Sequence, residues 1–304
     1  MELRQLRCFI AVADALHFGH AAQQLDMLPS ALGRHIRLLE ESLNVRLFVR
    51  STRSVALTAH GHKLLEEGKK IVAEVDALEA HFRRQGRLQA HTLRIGAIDS
   101  AAIALVPHLL PAFRHACPDV DVRIDENKTA QLLPKLKSGQ LDMAFIRPMK
   151  ESDPQLTTRF LLHENVVLAI AERHPLATRR SVTIEDIATL PLIVPARRAR
   201  PHSHDVTIKL FNAAGLKPHI VQLVDEKQTI LSMVASKVGG AIMPRWAARM
   251  ATPHVRFVTI DHGEGAFTAL PLAVAWVGNA PDAARDALLE IVSQELPHLI
   301  RQLC

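Results

Sequence analysis

One group of side chains near the N-terminus of this 304-residue chain has the chemistry to hold a polyanion. Ser30, Gly33, Arg34, His35 and Arg37 fall on one face of a short helix, opposite the apolar row Leu32, Ile36, Leu39 and Leu43. Arg50, Ser51, Thr52 and Arg53 follow as the basic, hydroxyl-rich tip of a hairpin. Guanidinium and hydroxyl groups there can donate to phosphate oxygens. A run of arginines alone is most often a solvated surface. Here the order helix, tight turn, helix, basic hairpin favours a surface that enters the major groove of double-stranded DNA.

Other chemistries fare worse. The chain has 17 histidines, and His60-Gly61-His62 and His202-Ser203-His204-Asp205 are the best metal candidates. Residues two apart on a helix do not face one way, so no metal is expected. No G-x-S-x-G or H-E-x-x-H occurs, and no catalytic residue is expected: the chain does not read as an enzyme. Cys8, Cys117 and Cys304 form no C-x-x-C pair. A sparse, odd set fits a reducing cytoplasm, and Cys117, before Pro118, reads as structural rather than redox-sensing.

The elements that position the basic face follow from periodicity. Leu3, Leu6, Phe9, Ile10 and Ala13 predict an amphipathic helix. A turn at Phe18-Gly19 leads to a second helix with Ala21, Ala22 and Leu25, whose small alanines let another helix cross closely. Asp26-Met27-Leu28 turns again, and Pro29 suits the first turn of the third helix, with Leu28 or Ser30 near its cap. Asn44 ends that helix, and Leu47-Phe48-Val49-Arg50 and Val55-Ala56-Leu57 predict two strands.

Thr58 can cap a long helix reaching Gln85, with Leu64, Gly68, Ile71, Val75, Leu78 and Phe82 in a heptad-like seam. Such a stripe asks for a partner helix, either the same helix of a second chain or the chain's own C-terminal domain. Pairing across two half-sites favours a homodimer. Arg83-Arg84-Gln85-Gly86-Arg87 then reads as a basic hinge.

From Leu93 strands and helices alternate. Leu93-Arg94-Ile95-Gly96-Ala97, the helix marked by Ile103 to Phe113, the strand Val120 to Ile124, the helix after Thr129 and the strand Leu141 to Arg147 form a βαβαβ run. A parallel, doubly wound sheet is the expectation. A second α/β unit carries strands at Val166 to Ala171, Leu192 to Val194, Ile220 to Val224 and Ala241 to Met243. Leu272 to Val277 returns as a strand before a C-terminal helix with Leu288, Leu289, Val292, Leu296 and Leu299. Two α/β lobes joined by two crossovers would hold a ligand cleft between them.

The fold class is therefore α/β, with an N-terminal winged helix-turn-helix (1–58), a linker and dimerisation helix (59–88) and a two-lobed, periplasmic-binding-protein-like domain (89–304). Lobe I takes about 92–162 and 268–304, and lobe II about 163–267. Hydrophobic residues at 48% supply packed cores, and a net charge of +6 suits a polyanionic partner. The N-terminus lacks a secretory pattern and no apolar run reaches about 18 residues. A cytoplasmic protein without membrane contact is expected, which argues against a periplasmic solute-binding protein.

Taken together, Ala21-Ala22-Gln23-Gln24-Leu25, Ala31 to Glu40, Leu47 to Arg50, Val55 to Gly61, His174-Pro175-Leu176 and Val238 to Pro244 resemble the LysR-type transcriptional regulators, over essentially the whole chain. The family usually has Ser-Gln-Pro where Leu28-Pro29-Ser30 stands, and Ser at Gly33. Pro29 cannot bond a base edge through its side chain, so Ser30, Arg34 and His35 carry more of the readout. The C-terminal part is similar to the aromatic-catabolism branch, whose members bind dicarboxylates such as muconate. The positions that hold a carboxylate there match Ser100 and Thr129, and a loop that closes on the ligand matches Pro201, His202 and Ser203. Ser and Thr at helix starts are equally helix caps. The branch often carries an aromatic where Ser203 stands. The resemblance implies a small-molecule carboxylate effector and no cofactor, a homotetramer where the sequence gives reason only for a dimer, and recruitment of RNA polymerase at a promoter or operator.

Overall fold

The computed structural model describes residues 1–50, 55–87, 92–149, 153–250, 252–261, 269–278 and 282–303; of Arg50, Ala77 and residues 79–87 and 301–303 it describes the backbone alone. The chain divides into two compact units, Met1–Arg84 and Gln85–Cys304.

The first unit starts with α1 (Leu3–Ala15), α2 (Phe18–Gln24) and α3 (Pro29–Leu43). The Glu2 N–H donates to the Gln5 side chain at 2.9 Å, closing the start of α1. Phe18 and Gly19 are helical, so the turn expected there lies one step earlier, at Leu16 and His17; the His17 ring accepts the His20 N–H at 3.2 Å. Leu6, Phe9, Val12, Ala21, Ala22, Leu32, Ile36 and Leu39 form the core. Each large side chain so buried contributes about 1.5–3 kcal/mol. Asn44 ends α3 in the left-handed region, φ 53°. The strands β1 (Phe48–Arg50) and β2 (Val55–Leu57) pair antiparallel, Phe48 opposite Leu57 and Arg50 opposite Val55.

α4 (Ala59–Arg87) is capped by Thr58, whose Oγ1 accepts the Gly61 N–H at 3.0 Å. Gly61 is required by close approach: a Cβ there would lie 2.2 Å from the Leu47 carbonyl oxygen. The expected seam splits. Leu64 packs on the helix-turn-helix core, and a Cβ on Gly68 would meet Leu6 at 2.9 Å, so this part of α4 crosses α1 of its own chain. Ile71 and Leu78 stay exposed. The expected hinge at 83–87 has helical backbone, because nothing in Arg83-Arg84-Gln85-Gly86-Arg87 breaks the hydrogen-bond ladder decisively.

The second unit continues with β3 (Thr92–Ala97), α5 (Asp99–Ala104), α6 (Val106–Ala116), β4 (Asp121–Glu126), α7 (Thr129–Lys137), β5 (Met143–Ile146), β6 (Leu156–Glu164) and β7 (Val166–Ala171). There follow β8 (Ser181–Val182), β9 (Pro191–Val194), α8 (Pro201–Ala213), β10 (His219–Leu223), α9 (Lys227–Ala235), β11 (Ala241–Pro244), β12 (Val255–Ile260), β13 (Leu270–Val277) and α10 (Ala283–Leu303). The single helix expected at Ile103 to Phe113 is two, α5 and α6, because Pro107 lies in the first turn of a new helix.

The sheets are mixed rather than purely parallel. One has the order β4-β3-β5-β13-β6; β3 runs parallel to β4 and β5, and β13 antiparallel to β5 and β6. The other has the order β11-β7-β12-β8, with β7 antiparallel to both neighbours, and β9 and β10 form a parallel pair beside it. The reversal arises where chain passes between lobes: β6 leaves the first sheet, and β13 returns to it and lies between β5 and β6. The βαβ expectation held within β3 to β5 and for β9, α8 and β10, where helices make the crossovers between parallel strands. Each lobe has its own core, one around Phe113, Phe145 and Val274, the other around Leu168, Leu192 and Phe211.

Candidate functional site

Two surfaces merit a functional reading. On the first unit, α3 presents Ser30, Arg34 and Arg37 to solvent. They line an open hollow of about 380 Å³ with Gly33, Glu40 and Arg46. His35 is half-buried and its Nδ1 has no hydrogen-bond partner. Arg37 lies 3.6 Å from Glu41, an exposed pair one turn on. Ser51, Thr52 and Arg53 lie outside the described residues, as does the Arg50 side chain.

Glu40, which carried no role in the sequence, ties α3 to the hairpin. Its buried carboxylate accepts the Leu47 and Phe48 N–H groups at 2.8 and 3.3 Å and faces Arg46 at 3.5 Å. A carboxylate that satisfies strand N–H groups fixes the angle between α3 and the start of the hairpin.

On the second unit, the centre is Arg147, read from the sequence only as the end of a strand. Buried at the end of β5, its guanidinium donates to Ser100 Oγ at 3.2 Å, to the Leu270 and Pro271 carbonyls at 3.0 Å each, and to the Glu164 carboxylate. Its backbone N–H donates to Thr129 Oγ1 at 3.1 Å. Arg147 thus brings together Ser100, which is 0% exposed in the first turn of α5, and Thr129, which opens α7. Glu164, also wholly buried, accepts the backbone N–H of Trp246 at 3.0 Å.

Pro201, His202 and Ser203 form the first turn of α8 rather than a loop, since Pro201 fits a helix start. His202 stays neutral more readily than an ordinary histidine: burial and the Arg147 charge lower its pKa, against a hydrogen bond to the Pro148 carbonyl. A cleft of about 1080 Å³ opens between α7 and α8, lined by Leu133, Met149, His202, Arg198, Lys209 and Pro271.

A second polar cluster joins the lobes. The Asp99 carboxylate accepts the Ser100 N–H at 2.8 Å, meets Arg200 at 2.8 Å and is bonded by Lys227. Lys128 meets Glu226 at 2.6 Å, and Glu226 also lies 3.3 Å from Arg200. Burial pushes the Asp99 pKa up, but Lys227, Arg200 and the Ser100 N–H outweigh it and hold it at about 2. Burial and the Asp99 charge push Glu126 nearby the other way, upward. No sequence signal marked these pairs, because each joins residues far apart in the chain. The Arg197 to Arg200 run is not a free basic patch: Arg197 pairs with Asp205 at 2.7 Å and Arg200 with Asp99.

Among the described residues no group of three or more His, Cys, Asp or Glu could hold a metal ion. The His204 Nδ1 is 2.9 Å from the Pro195 carbonyl. Cys8 is buried, and burial raises its pKa away from the thiolate. No described helix is long and apolar enough to cross a membrane.

Residues 3–62 match the family described as "Bacterial regulatory helix-turn-helix protein, lysR family", and residues 86–297 match the "LysR substrate binding domain". The chain belongs to the LysR family of transcriptional regulators. Along 303 residues it is 48% identical to the HTH-type transcriptional regulator TtuA of Agrobacterium vitis, covering 99% of this chain and 100% of TtuA. It is 30% identical to BenM of Acinetobacter baylyi (strain ATCC 33305 / BD413 / ADP1) over 80% of each chain. The crystal structure of full-length CbnR complexed with its target DNA superposes with a TM-score of 0.59 at 25% identity, covering 97% of this chain and 100% of that one. The winged helix-turn-helix and two-lobed α/β architecture is that of full-length LysR-type regulators, which are DNA-binding, ligand-responsive transcription factors and not enzymes.

Proposed function

We propose that this LysR-type regulator responds to a small organic acid bound beside Arg147, and that a homodimer presents two α3 helices to successive major grooves of operator DNA. The observation that carries the effector reading is the convergence of Ser100 and Thr129 on Arg147, next to a cleft edged by His202, Arg198 and Lys209. Hydroxyls and guanidinium groups are the partners a carboxylate takes. The acid belongs to the class taken by the aromatic-catabolism branch, a mono- or dicarboxylate, with Pro201, His202 and Ser203 covering it.

On DNA, Ser30, Arg34 and His35 read bases, and Arg37, Arg50, Ser51, Thr52 and Arg53 contact phosphates, making affinity salt-dependent. The exposed Ile71 and Leu78 on α4 support pairing with a second copy, and two dimers complete a tetramer. The acid shifts the balance between two subunit arrangements by no more than its differential affinity for them. That shift changes DNA spacing or bending and with it the recruitment of RNA polymerase in the cytoplasm.

The test is a thermal-shift screen of mono- and dicarboxylates, followed by calorimetry on wild type, Ser100→Ala and His202→Ala. An acid that raises Tm should bind the Ser100→Ala protein about tenfold more weakly, the value of one charge-assisted hydrogen bond. Equal affinities in all three proteins would remove the site.

A further inference from the structure

Two residues on the exposed side of α3 depart from local preference with no packing reason. The first is Leu28. A helix N-cap is normally Ser, Thr, Asp or Asn, whose side chain accepts from the free N–H groups of the first turn. Leu28 holds the N-cap backbone conformation, φ −69° and ψ 139°, and makes no such bond. At 71% it has the highest exposure of any large hydrophobic side chain among the described residues. The second is Gly33, inside the helix, where glycine costs stability. A Cβ there would meet nothing within 4 Å, so no neighbour demands the glycine. Pro29 and Ser30, between them, are exposed as well. The helix leads with an apolar corner and leaves a gap five residues on, beside Arg34.

An exposed leucine gains nothing from water, and a cap of hydroxyl or carboxylate type would have strengthened the helix. In a major groove, the apolar feature on offer is the C5 methyl group of thymine. We infer that Leu28 is a base-reading residue that packs on a thymine C5 methyl in each half-site, with Gly33 leaving the room for the end of α3 to approach the base edges. The inference rests on α3 being the recognition helix. Residues that break a local rule are expected where function sets the choice, and this one exchanges a cap for a contact made only on DNA.

The full-length protein is used to enrich a binding sequence from random duplex, and each thymine of the enriched half-site is then replaced by deoxyuridine, which lacks only the methyl. Wild type should lose about fourfold in affinity at one thymine per half-site, the worth of one buried methyl contact. Leu28→Ser should bind the thymine duplex more weakly and treat thymine and deoxyuridine alike there, while melting at a higher temperature because the cap is restored. Gly33→Ala should likewise melt higher and bind the same duplex more weakly. A purely structural role for Leu28 would move stability and binding together. If wild type enriches a sequence yet ignores deoxyuridine at every position, the recognition role of α3 stands and this inference fails alone. If no sequence is enriched, both fall.

Discussion

Replacing Asp99 by Asn removes one charge from the middle of the effector domain and changes its shape hardly at all. The carboxylate faces Arg200 at 2.8 Å, accepts the Ser100 N–H at 2.8 Å and is bonded by the buried Lys227. Its pKa is held at about 2 against an ordinary value of 3.8. A group whose pKa is lowered by folding stabilises the native state above its unfolded pKa and loses that contribution as pH falls through its folded one. The linkage amounts to roughly 2 kcal/mol, present at neutral pH and lost between about pH 4 and pH 2. Stranding Lys227 without a partner can raise the cost of the substitution to about 4 kcal/mol. Arg200 keeps Glu226 at 3.3 Å, so the loss falls mainly on Lys227.

The chain's two tryptophans, Trp246 and Trp276, both lie in the Gln85–Cys304 unit, so their fluorescence in urea follows that unit within the full-length protein. Asp99→Asn should lower the unfolding free energy by about 2 to 4 kcal/mol near pH 7, with the gap narrowing below about pH 4. Adding Lys227→Met should recover part of the loss, since an apolar side chain needs no counter-charge. A single variant as stable as wild type at neutral pH, or a gap that does not change on acidification, would refute the reasoning.

Breaking the buried Arg147–Glu164 pair with Glu164→Gln should cost about 3–5 kcal/mol in the same urea assay, because the guanidinium is left without its carboxylate. Gly61→Ala should destabilise the winged unit and weaken DNA retention in a gel-shift assay, since its Cβ would fall 2.2 Å from the Leu47 carbonyl oxygen. Arg34→Ala should weaken discrimination between operator and random duplex in a footprint by about tenfold or more, as a bidentate arginine contact is worth about 1–3 kcal/mol. His202 has a lowered pKa, so the native state resists its protonation and stability falls as pH drops below its unfolded pKa; His202→Gln should flatten that part of the stability–pH curve, measured by urea midpoints from about pH 7 to pH 5.

The amino-acid pattern carried the helix-turn-helix, because each of its elements announces itself locally: Leu32, Ile36 and Leu39 repeat at helical spacing and are all buried, Pro29 opens α3 and Asn44 closes it. It carried the strands that are buried on both faces, such as β7, for the same reason. It missed β6 and β12, whose outward residues are mixed and whose pairing with β13 and β7 is what makes them strands. It offered the α4 seam a second copy or the chain's own C-terminal domain and favoured the former, whereas at Gly68 the seam lies against Leu6 of α1; a stripe of apolar residues does not name what covers it.

What the sequence by itself determined is the order of elements in the helix-turn-helix, most of the strands and helices beyond it, and membership of the LysR family, since caps, turns and apolar periods act over a few residues. Only the tertiary structure decided which side chains meet in the effector domain. Arg147 reaches Ser100 across 47 positions, and Lys227 reaches Asp99 across 128. Such contacts have no period and no motif. They exist because the fold brings distant strand ends and helix starts together in a dry interior, where a charge without a partner is too costly to keep.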